Sequence, residues 1–218
     1  MNKQSDTLEE TSSIERIVAA AQESFATFGY EAVKVQQIAD KADVSAKLIY
    51  HYFGRKENLY LETLYHMAKS FFEGFDQGAA DHEDPIRTIH DFAWRFTDFY
   101  LTHPHTGRLI LDQVLHAGQQ ITRSRALEQR RDEMLEPLRA AITAGVAQGK
   151  VRPGLSAEGL FYHALVVVLG YGTVTSLLEP LHLDVPELSG QPEIRQIVAD
   201  CVVAFSRPEP LQAPMPAG

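Results

Sequence analysis

Between Ser45 and Lys56 the sequence SAKLIYHYFGRK gathers polar tips along one short stretch. Ser45, Lys47, Tyr50, His51, Tyr52 and Lys56 all carry hydrogen-bonding groups, and Lys47, Arg55 and Lys56 face the single nearby carboxylate of Glu57. Cations and hydroxyls spaced along a helix suit phosphates and base edges. Lysine donates to guanine or to phosphate. Tyr50, His51 and Tyr52 offer polar tips beside phosphates, where the tyrosine hydroxyls bond and the ring bodies pack. A residue as small as Ala46 lets a helix approach base edges and touch a thymine methyl. Lys56 opens a following helix, where free backbone N–H groups already favour an anion.

Such a set needs elements to hold it. Ile14, Ile17, Val18, Ala21, Phe25 and Phe28 recur at spacings of three and four, one face of a helix. Ser12 or Ser13 caps its start and Gly29 ends it. A short helix comes next over about Val35 to Lys41, with Ile38 and Ala39 inward. Asp43-Val44 makes a turn, and Ser45 caps a second short helix from Ala46 to Tyr52. Phe53 is core, Gly54-Arg55 breaks the helix, and a long helix runs from Lys56 to Gly74 or Gln77. A helix, a short helix, a tight turn and another short helix form a helix-turn-helix, whose last helix enters the major groove of double-stranded DNA.

The remaining chain reads as helical throughout. Helices are expected over about 85–101, 105–116, 120–148 (with Pro137 as a place for a bend), 156–178 and 193–205, with a loop from Pro180 to Pro192. No run alternates with period two. The expectation is an all-α protein of about nine helices. It divides into a disordered arm over 1–12, a helix-turn-helix domain over 13–58, a ligand-binding and dimerisation body over 59–206, and a flexible Pro-rich tail over 207–218. Leu160 to Leu178 is apolar on nearly all sides. His163, Gly170, Gly172, Thr173, Thr175 and Ser176 interrupt it and no basic flank borders it, so it is not expected to span a membrane. A helix of that kind must be covered on both sides. The final helix, with Ile194, Ile197, Val198, Cys201, Val202 and Phe205, can complete an apolar seam between two subunits.

These residues carry a family resemblance. Ser45 through Leu59, read as Ser-x-x-x-Ile-Tyr-His-Tyr-Phe-x-x-Lys-Glu-x-Leu, resembles the signature of the tetracycline-repressor (TetR) family, as do Phe25, Phe28-Gly29-Tyr30, Val35, Ile38-Ala39 and Val44 before it. The resemblance implies a homodimer joined through its last two helices, an N-terminal domain on operator DNA, and a body that binds a small inducer. There are departures. Lys34 stands where the family has a Ser or Thr cap, and lysine cannot accept the N–H bonds a cap requires. Gln37 can still supply the return half of a capping box, and Lys34 is free to meet phosphate. Gln36 replaces a frequent Arg and can read adenine with both ends of its amide. Asp43 takes the place of the turn glycine, and Arg55 that of a Ser or Asn before Lys56.

The 218 residues carry a net charge of −9. Taken alone this argues against nucleic acid, but most of the acid lies late. Residues 1–58 hold 7 Lys/Arg against 9 Asp/Glu, leaving 13 against 20 for the rest. A local basic spot on an acidic body still binds DNA, with weak long-range steering. The polar, acidic start gives no expectation of a secretory signal, and the single cysteine, Cys201, fits a reducing cytoplasm.

In the body, Phe92, Phe96, Tyr100, Gln113, Met134, His163 and Tyr171 are the candidates to line an effector pocket. They are largely apolar with a few polar tips, as a small hydrophobic ligand needs. No cofactor or metal is expected. His103, His105 and His116 have no partner at a recognised ligand spacing, and there is no Walker loop, dinucleotide fingerprint or nucleophile elbow. Two other classes stay open. A helical enzyme would need a nucleophile–base pair or a metal constellation. A non-specific architectural DNA protein would need a basic composition.

Overall fold

A computed structural model describes residues 3–76, 83–115, 125–178 and 191–208. Among the described residues there are nine helices and no strand: α1 (Lys3–Ala32), α2 (Val35–Ala42), α3 (Ala46–Phe53), α4 (Lys56–Asp76), α5 (Pro85–Thr102), α6 (Pro104–Leu115), α7 (Arg125–Ala147), α8 (Ala157–Leu178) and α9 (Gln191–Ser206). The all-α expectation holds, and so do most helix limits to within a few residues.

The first helix departs most. The disordered arm expected over residues 1–12 is helical from Lys3 onward. Nothing between Lys3 and Ser13 breaks a helix, and Leu8, Glu9 and Glu10 favour one. At the other end Gly29, at φ 76 and ψ 161, interrupts the helix without ending it, and one more turn runs to Ala32. Phe28, expected on the apolar face, is exposed. Pro104 opens α6 one residue earlier than expected, as proline's fixed φ allows at a first helical position. His116 and the loop before Gln191 lie outside the described residues, as does the tail from residue 209.

The chain forms two compact units, Met1–Gly74 with His103–Glu128 and Phe75–Thr102 with Gln129–Gly218. This division differs from a boundary at residue 58, because α6 joins the first unit. The core of that unit gathers Ile17, Ala21 and Phe25 from α1, Ile38 and Ala39 from α2, Ile49 from α3, Leu59, Tyr60 and Leu64 from α4, and Leu109 from α6. Tyr60 is fixed by more than packing. Its hydroxyl donates to Asp112 Oδ2 at 2.5 Å and accepts from Gln113 Nε2 at 2.6 Å, both on α6.

In the second unit α5 packs on α9 and α8, and α8 on α9. Ile89, Phe96, Leu135, Leu138, Leu160, Ala164, Val198 and Val202 are buried there. Arg139 of α7 reaches Glu158 of α8 at 2.7 Å, and Arg195 of α9 reaches Asp98 of α5 at 2.6 Å. Close approach requires Gly145: a methyl there would overlap Val151 and come within 3.2 Å of the Pro85 Cβ. No described helix is long and apolar enough to cross a membrane.

Candidate DNA interface

The presentation of α3 begins with the cap of α2. Lys34 is extended at φ −101 and ψ 140, and its backbone N–H donates to Gln37 Oε1 at 2.8 Å. Gln37 thus supplies the return half of the box, and the lysine side chain is left exposed. Lys41 Nζ lies 2.5 Å from Glu23 Oε1 and ties α2 to α1. That bond holds the Glu23 carboxyl below its usual range.

The turn is made by Asp43 at φ 54 and ψ 51, with its N–H on Asp40 O and that of Val44 on Ala39 O. This closes the helix in the Schellman manner, and aspartate tolerates the left-handed region better than most side chains. Ser45 Oγ then accepts the Leu48 N–H at 3.2 Å and caps α3. Gly54, at φ 73, ends α3 with its N–H on Tyr50 O at 3.0 Å.

These fixed ends set which side of α3 faces out. Ile49 is 2% exposed in the core, with Ala46, Tyr52 and Phe53 half-buried against it. Ser45, Lys47, Tyr50 and His51 are exposed, Tyr50 by 51%. Lys34 and Gln36 are exposed at the start of the helix-turn-helix. Tyr52 thus packs as well as presenting a polar tip; its ring lies 5.4 Å from that of His51 and 6.3 Å from that of Phe53.

Lys56 is more constrained than its position in the sequence suggests. Its Nζ donates to Glu31 O at 3.3 Å and lies 4.5 Å from the Tyr30 ring centroid. It therefore ties the end of α1 to the start of α4, a cation over an aromatic face. An ammonium has three donors, so this leaves capacity for a further anion. Sequence reasoning missed the Lys41–Glu23 and Lys56–Tyr30 ties, because each joins residues brought together only by the fold.

Of the candidates for a ligand pocket, Phe92, Phe96, Tyr100, Met134, His163 and Tyr171 belong to the second unit. Phe96 is fully buried, 5.0 Å from Tyr100 and 5.3 Å from Phe161 between ring centroids. Phe92 and Met134 are buried as well. Burial pushes the Tyr100 phenol up. His163 stacks on Phe205 at 4.0 Å, and the Arg152 guanidinium lies 4.1 Å from the same ring. Gln113 belongs to the first unit, where it is buried and bonded to Tyr60.

Known proteins match both parts of the chain. Residues 17–63 fit the family described as bacterial regulatory proteins of the tetR family, and residues 85–202 fit the tetracyclin repressor-like C-terminal domain. The transcriptional repressor NicS of Pseudomonas putida is 30% identical over 138 residues, which cover 63% of this chain and 65% of NicS. Among solved structures, a tetR-family regulatory protein from Rhodococcus RHA1 has a TM-score of 0.70 at 16% identity, covering 91% of this chain and 98% of that one. The Bacillus subtilis regulator FadR, solved in complex with stearoyl-CoA, has a TM-score of 0.60 at 19% identity, covering 88% and 98%. The structural likenesses speak for the fold. With the helix-turn-helix matched by one family pattern and more than half of the chain by a second, this chain belongs to the TetR family of transcriptional regulators.

Proposed function

We propose that this protein is a cytoplasmic repressor. As a homodimer it lays two copies of α3 in successive major grooves of a near-palindromic operator, and a small, largely hydrophobic effector releases it. The observation that carries this reading is the exposed row Ser45, Lys47, Tyr50 and His51 on a helix whose opposite side is locked by Ile49. A rigid helix with donors on its free face suits phosphate positioning and base readout. Lys34, Gln36, Ala46, Tyr52 and Lys56 complete the contact set. One α3 is too short to specify a long site, which is why the operator takes two.

In this reading DNA contact is assigned to residues 13–58 and regulation and dimerisation to 59–206, with α4 to Gly74 and α6 packed in the same unit as the DNA-contacting helices. Exposed apolar groups on α8 (Tyr162, Val166) and α9 (Cys201, Phe205) are what a second copy would cover. The repressor name of NicS and the stearoyl-CoA bound by FadR support repression and an apolar effector. In the body Phe92, Phe96, Tyr100, Met134, His163 and Tyr171 meet that effector. The effector acts only through different affinities for the DNA-bound and free conformers, so operator DNA must weaken effector binding by the same factor.

Selection from a library of duplexes with randomised cores tests the reading. The expected product is a two-fold-related site with half-sites about one helical turn apart. Recovery of unrelated sequences bound as well as random DNA would contradict it.

A further inference from the structure

Gln36 is the second residue of α2, and the present inference rests on the reading in which it meets a base edge. In the folded chain its Nε2 donates to Asp40 Oδ1, one helical turn on, at 2.7 Å. An ionised carboxylate only accepts, so the bond decides which end of the amide turns to Asp40: the nitrogen must. The amide carries two N–H bonds. The one cis to Oε1 makes, together with Oε1, the donor–acceptor edge that fits N7 and N6–H of adenine. The one trans to Oε1 points away from that edge.

We propose that Asp40 is a positioning residue for sequence recognition: it holds the Gln36 amide by the trans N–H and leaves the adenine-matching edge free and oriented. Both side chains are exposed, so nothing else in the core fixes them. Their platform, however, is fixed. Lys41, next to Asp40, is tied to Glu23 of α1 at 2.5 Å, and the backbone N–H of Lys34 is tied to Gln37 at 2.8 Å. Glutamine is among the costlier side chains to immobilise. Spending that entropy in the free protein, through a Gln–Asp pair one turn apart, leaves less to lose on the DNA. The pin also removes the flipped amide, whose reversed edge would not fit adenine.

The experiment selects from a library of duplexes with randomised cores using wild type, Gln36→Ala, Asp40→Ala and Asp40→Asn. Titrations are then run on duplex sets differing at the single base pair where Gln36→Ala relaxes the preference. A good bidentate contact discriminates by roughly 5- to 150-fold, so wild type should favour adenine there by about tenfold or more. Asp40→Ala should cut that ratio to about threefold or less, with preferences at other positions unchanged. Asp40→Asn can donate as well as accept, so it no longer decides which end of the Gln36 amide faces it and should also lower the ratio, to a value between those of wild type and Asp40→Ala. Asp40→Ala combined with Gln36→Ala should match Gln36→Ala alone, as two residues acting through one contact must.

If Gln36→Ala loses the preference and Asp40→Ala keeps it, the positioning role is overturned and the base contact stands. If Asp40→Asn keeps the full wild-type ratio, an acceptor-only partner is not what orients the amide and the inference is again overturned. If Gln36→Ala changes no preference, the base-reading assignment itself falls and takes the inference with it.

Discussion

Tyr60 and Asp112 stand 52 residues apart in the chain and meet at 2.5 Å, phenol to carboxylate. The Gln113 amide shares the same phenol oxygen at 2.6 Å. The Tyr60 ring is fully buried, edge-on to Phe25 at 4.9 Å and 4.9 Å from Tyr30, which carries Lys56 over its face. One hydroxyl thereby joins α4 to α6 beside the residues that anchor the start of α4.

Tyr60→Phe keeps the ring and removes the hydroxyl. Asp112, which is half-buried, loses a donor, and the buried Gln113 amide loses an acceptor. A buried amide N–H that loses its acceptor costs about 1–3 kcal/mol, so on the Gln113 side alone the urea midpoint should fall. Alkali gives a second readout. Burial, and next the bond to Asp112, push the Tyr60 phenol up from its ordinary 10.0. The folded state therefore keeps the proton that the unfolded state releases. This stability is complete below pH 10 and is lost as pH rises above it, so wild type should lose more stability than Tyr60→Phe between about pH 8 and pH 11. Equal midpoints and equal alkaline losses would contradict the bond's importance.

Much of the helix-turn-helix could be read from residue types because its determinants are local. Ser45 caps the helix directly after it, Asp43 and Gly54 take backbone conformations that few residues tolerate, and Gln37 reaches back only three residues. The failures share a cause too. Phe28 fits the apolar period of α1 yet is exposed, because periodicity does not say where a neighbouring helix stops. Gln113 looks like a pocket amide until Tyr60 arrives from a distant part of the chain. Within the all-apolar segment of α8, Val168 turns into the subunit's own core while Val166, two residues earlier, stays half exposed. A helix that is apolar all round carries no mark of which side its own chain will cover.

Two substitutions on α8 should therefore behave differently. Val166 is 50% exposed and Val168 only 7%. On the proposed dimer, Val166→Glu places a charge where a second copy should sit, so it should yield a folded monomer in sedimentation equilibrium. Val168→Glu puts an unpaired charge in the subunit's own core and should unfold the chain. A dimer of undiminished affinity with Val166→Glu would rule this face out as the interface.

His163 gives α8 and α9 a sensitivity to acid. Burial, and after it the charge of Arg152, hold the imidazole below its ordinary 6.5. The unfolded state therefore takes up the proton first. The associated stability is present above pH 6.5 and is lost as pH falls through the folded value. His163→Phe preserves an aromatic partner for Phe205 and removes the titration. Its melting temperature should fall less than that of wild type between about pH 7.5 and pH 5.5. Equal falls would show that the stack does not govern the acid response.

The claim on which the rest depends is that the exposed side of α3 meets DNA, and binding of a selected operator duplex by Lys47→Ala/Tyr50→Ala, followed by anisotropy across salt, tests it most directly. Both side chains are exposed and neither is part of the core, so the variant should melt as wild type does. Losing one charge-assisted contact and one hydroxyl contact per subunit should weaken binding at least about tenfold. The slope of log affinity against log salt should become shallower by about one for each lost lysine–phosphate contact. A variant that folds normally and binds with wild-type affinity and salt slope would contradict the account.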